Sequence, residues 1–290
     1  MEPILEIKNL TKYYKDVLGI KDLSLTLYEK ETFGLIGPNG AGKSTTIRVI
    51  MNLINKTNGE VFFKGKKLDK NSIELKKEIG YLPSEISLYD DLTVGEIFDY
   101  HEVFFDKKIH KRRKELVKKL KIDESKKIEE LSLGNLKKIG IVLAFMHEPK
   151  LLILDEPTSG LDPIMQQIFY DLLEEENKKG TTILYSTHIL NEVPKVCNKV
   201  GIIKNGKLLK IESIKELKDK SLTFVTITSQ EIEKIKRDLN PELIFENDEI
   251  IKFKNTQTPN ELIKTLSKYN IQKILIEEAT LEEMFLHYYE

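Results

Sequence analysis

The sequence predicts an α/β protein with a parallel core sheet, an antiparallel β subdomain, a helical insertion and a small C-terminal α+β domain. Three observations lead to this prediction. Continuous apolar runs at 151–154 and 182–185 are typical of central parallel strands, because both faces of such strands are buried. A third apolar run, 32–36, leads into a glycine-rich turn and then into a helical pattern. From about residue 93 to 147 the apolar spacing is helical, which indicates an insertion between two parts of the sheet.

Other strands are predicted from alternation and turn residues. Apolar and polar residues alternate at 5–7 and 23–27, so both segments are expected to form half-buried antiparallel strands. Residues 58–65 predict a further short strand between turn residues. Within 200–210, Asn-Gly stands between two apolar runs, which predicts a β-hairpin.

A helix is predicted between the two central strands. Asp162 can cap its N-terminus and Pro163 can occupy its first turn, where a missing N–H costs nothing. Ile164, Ile168 and Leu172 would then form its buried stripe.

The first domain is predicted to span residues 1–218 and the second 219–290. In the second domain the apolar pattern predicts alternating strands and helices: strands at 222–227, 250–253 and 274–276, and helices at 231–239 and 260–269. A last helix would begin at Thr280, which forms a capping box with Glu283.

Composition narrows the classes of protein. The chain has 290 residues, 46 basic and 47 acidic, so its net charge of −1 gives no general attraction to nucleic acid and no nucleic-acid partner is expected. The longest apolar run, 141–146, is far shorter than the ~20 residues of a membrane-spanning helix. The N-terminus lacks the pattern of a secretory signal, and a single cysteine, Cys197, suits a reducing compartment. These features predict a cytoplasmic location.

The glycine-rich turn predicts a phosphate site. Small residues let successive backbone N–H groups surround a phosphate, and the following helix N-terminus adds the positive end of its dipole. In this motif the lysine, Lys43, reaches the terminal phosphates and the serine, Ser44, binds Mg²⁺. The predicted nucleotide-binding residues of the turn are Gly37, Pro38, Asn39, Gly40, Ala41, Gly42, Lys43, Ser44 and Thr45. Kinases, GTPases and many ATPases share such a loop, so the loop by itself does not choose among them.

Two carboxylates follow the apolar run 151–154. Asp155 is expected to hold Mg²⁺, directly or through water, and Glu156 to polarise the attacking water. An apolar strand ending in two acids is the arrangement called Walker B. With Lys43, it predicts a hydrolase that acts on a nucleoside triphosphate with Mg²⁺.

Three further segments make a family resemblance specific. Residues 131–135 (Leu-Ser-Leu-Gly-Asn), 159–162 (Ser-Gly-Leu-Asp) and 186–188 (Ser-Thr-His), together with 37–45, resemble the ATP-binding-cassette (ABC) ATPases, a class of P-loop NTPase. The resemblance covers roughly residues 4–218.

The resemblance implies roles for several residues. Tyr14 would stack on adenine, with Tyr13 as the rival, and His188 would contact the γ-phosphate and help to orient the water. One cassette cannot complete its own site, so a second ABC subunit is expected, in a homodimer or a heterodimer. The residues expected at that junction are Ser132, Gly134 and Asn135, which would face the partner's nucleotide, and Asp162 at the subunit seam.

Two departures from the family pattern bear on activity. The usual signature is Leu-Ser-Gly-Gly-Gln, whereas this chain has Leu133 and Asn135 at the third and fifth positions. If position 133 needs φ > 0, leucine costs roughly 1–2 kcal/mol; if it is an ordinary helix start, little is lost. In the coupling loop, Ser84 stands where the family commonly has a glutamine, and Glu85 is a candidate substitute.

The resemblance also implies a biological role. We expect an ATPase that powers a membrane transporter through separate permease chains, at the inner face of the cell membrane. Residues 80–94 and 278–289 resemble the drug, antibiotic and bacteriocin export branch, so export is favoured over import. The alternatives are a soluble ABC ATPase that acts as a remodelling factor, and a regulatory cassette with a weakened site.

Overall fold

The structure is a computed structural model that describes residues 2–105, 109–219, 223–255 and 257–278. The chain divides into two compact units, Met1–Ile214 and Lys215–Glu290. The predicted helix at Thr280, with its capping partner Glu283, lies outside the described residues.

The first unit contains ten strands and seven α-helices among its described residues. In chain order they are β1 (Pro3–Tyr14), β2 (Val17–Tyr28), β3 (Thr32–Ile36), α1 (Lys43–Ile50), β4 (Asn58–Phe63), β5 (Lys66–Lys67), α2 (Ile73–Lys76), β6 (Ile79–Leu82), α3 (Val94–Glu102), α4 (Ile109–Leu120), α5 (Leu133–Phe145), β7 (Leu151–Asp155), α6 (Pro163–Lys178), β8 (Thr182–Thr187), α7 (Val193–Val196), β9 (Lys199–Lys204) and β10 (Lys207–Ser213). Helix α8 (Ile214–Asp219) lies at the division between the units.

Two sheets form the first unit. The larger has the strand order β10-β9-β3-β8-β7-β6, and all its pairs are parallel except the β9–β10 hairpin. The smaller is antiparallel, in the order β2-β1-β4-β5. One apolar cluster packs side chains of both sheets around α1, among them Leu5, Phe33, Ile47 and Phe63. None of the helices in the described ranges is long and apolar enough to cross a bilayer.

Helix α6 begins where it was predicted but buries a different stripe. Asp162 is its N-cap and Pro163 its first residue. Leu172 is buried, but Ile164 is 74% exposed, and the buried positions nearer the N-terminus are Met165 and Phe169. The predicted stripe was therefore wrong by one residue over the first two turns. Both apolar pairs have the same four-residue spacing, so the pattern alone left two possible phases.

After α8, the described part of the second unit is an antiparallel sheet with two helices. Its elements are β11 (Thr223–Ser229), α9 (Ile232–Leu239), β12 (Glu242–Glu246), β13 (Ile250–Asn255), α10 (Pro259–Leu266) and β14 (Ile271–Glu278), and the strand order is β12-β13-β11-β14. Its core includes Val225, Ile235, Phe253 and Leu262. Strand β12 was missed because it is an exposed edge strand with only three apolar residues between acidic ones.

Candidate active site

Four parallel strands bring the candidate residues to one edge of the large sheet. In β3, β8, β7 and β6 the carboxyl ends point the same way, and the register places Asp155 beside Ser186 and Leu82 beside Leu154. The loops that follow these strands therefore meet. Such an edge is where α/β sheets bind ligands.

The glycine-rich turn after β3 needs glycine at two positions. Gly42 has φ +110°, a left-handed conformation that strains other residues, and it caps α1. A Cβ at Gly37 would lie 2.2 Å from the carbonyl oxygen of Ile203, so no larger residue fits there. The backbone thus passes close to β9 before it opens into the helix N-terminus.

Lys43 is buried at the base of this turn. Its side chain is 5% exposed, and Nζ donates to the carbonyl oxygens of Gly37 at 2.7 Å and Pro38 at 3.2 Å. Nζ also lies 3.2 Å from Oε1 of Glu156. The lysine is therefore held at the turn by two backbone oxygens and one carboxylate.

Glu156 joins Lys43 to His188. Its other oxygen, Oε2, lies 2.8 Å from Nδ1 of His188. Glu156 has φ +47°, and its backbone N–H donates to both the carbonyl and the hydroxyl oxygen of Ser186, at 3.2 Å each. A left-handed conformation costs a non-glycine residue roughly 1–2 kcal/mol, and these bonds to β8 hold it. Three segments far apart in the sequence thus form one continuous line of charged and polar contacts.

Asp155 fits a metal ligand. Its Oδ1 accepts hydrogen bonds from Ser186 Oγ at 2.6 Å and from Ser44 Oγ at 3.1 Å. The side chain is 0% exposed, and Oδ2 has no hydrogen-bond partner in the described part of the chain. A buried carboxylate oxygen without a donor calls for a cation or an ordered water. Since Mg²⁺ prefers oxygen ligands, Asp155 and Ser44 form a suitable pair of protein ligands.

Of the two candidate tyrosines, Tyr14 lies at the phosphate loop. Its Oη is 3.4 Å from Oγ1 of Thr45, and the residue is 42% exposed. The backbone N–H of Tyr13 instead donates to Oγ1 of Thr57, which lies outside the loop. The exposed ring next to the loop is the one that a base could stack on.

The signature segment begins α5, and position 133 is an ordinary helix start. Ser132 is the N-cap, and its Oγ accepts the N–H of Asn135 at 3.4 Å. Leu133 is the first helical residue, does not have a positive φ, and is 77% exposed. Glycine is required for steric reasons at the next position, Gly134, where a Cβ would lie 2.8 Å from the carbonyl oxygen of Gly160. Leucine at position 133 therefore carries no backbone penalty.

The two remaining candidate regions lie at the surface near these loops. Asp162 is exposed, and its Oδ1 accepts the N–H of Met165 at 2.9 Å. Ser84 follows β6 and is half-buried, whereas the side chain of Glu85 is exposed. In the described part of the chain, Glu85 makes no hydrogen bond or ion pair with the phosphate loop.

Comparison with known proteins agrees with this arrangement. The family described as ABC transporter matches residues 20–159. One relative is the uncharacterized ABC transporter ATP-binding protein MJ1023 of Methanocaldococcus jannaschii. It is 37% identical over 226 residues, which cover 75% of this chain and 80% of that protein. YhaQ of Bacillus subtilis, likewise an uncharacterized ABC transporter ATP-binding protein, is 32% identical over 98% of this chain and 97% of its own length.

The chain belongs to the ABC transporter ATP-binding proteins. A solved ATP-binding subunit of an ABC transporter superposes with a TM-score of 0.70 at 30% identity, covering 75% of this chain and 92% of that one. A dimeric ABC transporter cassette, MJ0796, gives a TM-score of 0.67 at 26% identity over 72% and 98%. These findings confirm the family resemblance and the predicted fold class, and family membership supports binding and hydrolysis of ATP.

Two buried charged residues next to the candidate site were missed by sequence reasoning. Lys137 on α5 is 3% exposed, and its Nζ donates to the carbonyl oxygens of Pro83 and Ser84 at 3.1 Å each. Burial lowers the pKa of Lys137 to about 8, while the charges of Asp155 and Glu156 act against that decrease. The sequence signal that could have identified Lys137 is its position on the apolar face of a helix, where a lysine is unexpected.

Glu192 is the second missed residue. It is 4% exposed and accepts hydrogen bonds from hydroxyl groups of Thr158 at 2.5 Å and of Tyr185 and Thr187 at 2.8 Å each. Thr187 directly precedes His188, and Thr158 lies just before the predicted seam segment at 159–162. This carboxylate therefore connects the two loops that follow β7 and β8.

Proposed function

We propose that this chain is the ATP-hydrolysing subunit of a membrane transporter. It would drive separate permease chains, which carry the transported substrate, and the transporter would export that substrate. The observation that carries the hydrolytic part is the contact of Glu156 with both Lys43 and His188. A carboxylate held between a phosphate-loop cation and a histidine is placed to act on water near a terminal phosphate.

Nucleotide binding would use the turn, Lys43 and Tyr14. The adenine would stack on the exposed ring of Tyr14, a contact worth about 1–3 kcal/mol by analogy with other base–aromatic pairs. Backbone N–H groups of 39–45 and the N-terminus of α1 would hold the phosphates. Lys43 would exchange its contact with Glu156 for the terminal phosphates, because a phosphate is a more highly charged acceptor.

Hydrolysis would use Asp155, Glu156 and His188. Asp155 and Ser44 would hold Mg²⁺, which supplies neutralisation of the charge on the phosphate oxygens. Once Lys43 turns to the phosphates, Glu156 is released to accept a hydrogen bond from the attacking water. His188 would orient that water and contact the γ-phosphate.

A second cassette would complete the site. Its Ser132, Gly134 and Asn135 would approach the nucleotide from the N-terminus of α5, where the helix dipole favours an anion. Asp162 would lie at the seam. The dimeric structures of the related cassette MJ0796, one of them bound to ADP and Pi, support this arrangement.

Glu156→Gln tests the hydrolytic proposal. The substitution keeps the shape of the side chain but removes the base, so turnover should fall by about 10²–10⁴ while ATP binding is retained. Steady-state phosphate release and equilibrium ATP binding are measured on the full chain. Glu148→Gln, an exposed residue ahead of β7, is the matched control and should keep the wild-type rate. An undiminished single-turnover rate in Glu156→Gln would remove Glu156 from this role.

A groove beside the helical segment supports docking of a permease. It has a volume of about 430 Å³ and is lined by Ser87, Leu88, Tyr89, Ile97, Tyr100, His101 and Leu143. Two of these lining residues, Tyr89 and Tyr100, are 64% and 57% exposed. Clustered apolar side chains at a surface are typical of a protein–protein contact.

Export is supported by the names of two relatives. They are the linearmycin resistance ATP-binding protein LnrL of Bacillus subtilis, 36% identical over 72% of this chain, and the probable multidrug ABC transporter ATP-binding protein YbhF of Escherichia coli. The cassette would then act at the cytoplasmic face of the cell membrane. The ordinary helix start at Leu133 means that leucine at this position gives no support to a regulatory cassette with a weakened site.

Affinity purification from detergent-solubilised membranes tests the transporter role. We expect a hydrophobic, multi-spanning protein to co-purify with the wild-type chain and to be lost with Tyr89→Glu. Ile73→Glu changes an equally exposed apolar residue, 64% exposed, on α2 and should keep the partner. Recovery of the chain only in the soluble fraction, without such a partner, would favour a non-transport remodelling ATPase instead.

A further inference from the structure

Lys137 has a position that the proposed hydrolytic roles do not explain. It lies on the fifth residue of α5, the helix that begins at the signature segment, and it is almost fully buried. Its Nζ donates to the carbonyl oxygens of Pro83 and Ser84. A buried ammonium group needs acceptors to compensate for lost water, and these two carbonyls provide them. The bonds tie α5 to the turn that follows β6.

That turn lies beside the proposed metal ligand. Strands β6 and β7 are parallel, with Leu82 opposite Leu154, so Pro83 emerges next to Asp155 at the edge of the sheet. The charges of Asp155 and Glu156 favour the protonated form of Lys137 and so raise its pKa against the effect of burial. The ammonium has three donors, of which the turn takes two.

We propose that Lys137 is a positioning residue for ATP hydrolysis, which holds the Pro83–Ser84 turn beside Asp155 and links the signature helix to the carboxylates of the same cassette. The proposal rests on the proposed function. It also gives a reason why serine is tolerated at position 84. A serine side chain is too short to replace the usual glutamine, but the lysine makes the polar link to this turn from the other side, through backbone oxygens that any residue supplies.

The link has a mechanical consequence. The N-terminus of α5 is the part that a partner's nucleotide would contact, and Lys137 lies one helical turn further along the same helix. A shift of α5 on closure of the dimer would therefore displace the Pro83–Ser84 turn next to Asp155. Signature contact and metal position would be coupled through one side chain.

Lys137→Met tests the proposal, with Lys138→Met as the matched control. Lys138 is the next residue of the same helix and is half-buried, and in the described part of the chain it makes no hydrogen bond to the turn. We expect Lys137→Met to lower kcat at least tenfold and to change the Kd for ATP less than twofold. Lys138→Met should stay within twofold of wild type in both. Adding Ser84→Gln to Lys137→Met should restore kcat at least threefold, because the longer side chain re-forms a polar link at this turn.

The outcomes separate this proposal from the one it rests on. A kcat within twofold of wild type in Lys137→Met, an equal loss in Lys138→Met, or a loss confined to ATP affinity would overturn it. If Lys137→Met does not fold, Lys137→Gln is measured in the same way, since its amide keeps a donor for one carbonyl. An intermediate loss of kcat supports the proposal and an unchanged kcat overturns it. Absence of hydrolysis by the wild-type chain with a partner present would instead refute the ATPase proposal.

Discussion

Replacing Glu192 by alanine should destabilise the first unit strongly. The substitution removes an acceptor shared by four hydroxyl groups. That of Tyr170 belongs to a half-buried side chain, whereas those of Thr158, Tyr185 and Thr187 belong to side chains that are at most 3% exposed, and these three carry most of the cost. A buried hydroxyl left without a partner costs about 1–3 kcal/mol. Hydroxyl groups can rotate to other acceptors and water can enter the space, so we take the lower part of that range for each group. The expected loss is about 3–5 kcal/mol in the free energy of unfolding.

Urea titration of the full chain measures this loss. The chain has no tryptophan, so far-UV circular dichroism is the suitable signal. Glu174→Ala is the matched control: it removes a glutamate that is 66% exposed and forms one exposed ion pair with Lys178, so it should cost under about 1 kcal/mol. A loss below about 1 kcal/mol in Glu192→Ala, or one equal to the control, would refute the reasoning, because it would mean that the three hydroxyls find other partners at no cost.

Two further predictions concern His147 and Leu133. Burial lowers the pKa of His147 to about 4, so below pH 6.5 the unfolded chain binds a proton that the folded chain does not. Its contribution to stability is complete above pH 6.5 and decreases as the pH falls towards 4, by about 2 kcal/mol at pH 5. His147→Phe should remove this part of the difference between urea titrations at pH 7 and pH 5, whereas His110→Phe, a change at a histidine that is 53% exposed, should not. Leu133→Gly should change kcat no more than about fivefold, since glycine costs at most about 1 kcal/mol in a helix and position 133 needs no special backbone.

Opposite results would contradict each of these arguments. An unchanged pH dependence in His147→Phe would mean that the histidine is protonated in the folded chain at pH 5. A more than tenfold gain of ATPase activity in Leu133→Gly would mean that closure of the dimer requires a backbone conformation at position 133 that leucine opposes.

Much of the fold could be predicted because its signals are local. A continuous apolar run such as 151–154 is a buried strand wherever it lies in the sheet, and the capping residue Asp162 starts a helix by bonding to its own neighbours. The phase of α6 could not be predicted. Two apolar pairs satisfied the same helical spacing, and only packing against the sheet selects Met165 and Phe169 over Ile164 and Ile168.

In the candidate site, too, some features could be predicted from local sequence and others depended on tertiary contacts. The glycine turn, the acids after 151–154 and the histidine after 182–187 were recognisable by motif and order alone, because each motif is contiguous. Which of two neighbouring tyrosines meets the loop, and whether leucine at position 133 is strained, required the geometry of β1 and α5. Neighbouring residues in a strand point to opposite faces, so a shift of one residue changes every contact.

The sequence by itself determined the fold class, the phosphate loop and the order of the catalytic segments, since these depend on residue type and short spacing. The tertiary structure alone decided the contact of Glu156 with Lys43 and His188, the bonds from Lys137 to the Pro83–Ser84 turn, and the four hydroxyl groups around Glu192. The pair Lys43 and Glu156 is more than a hundred residues apart in the chain. Such contacts follow from the order in which strands assemble in the sheet, and no local pattern encodes that order.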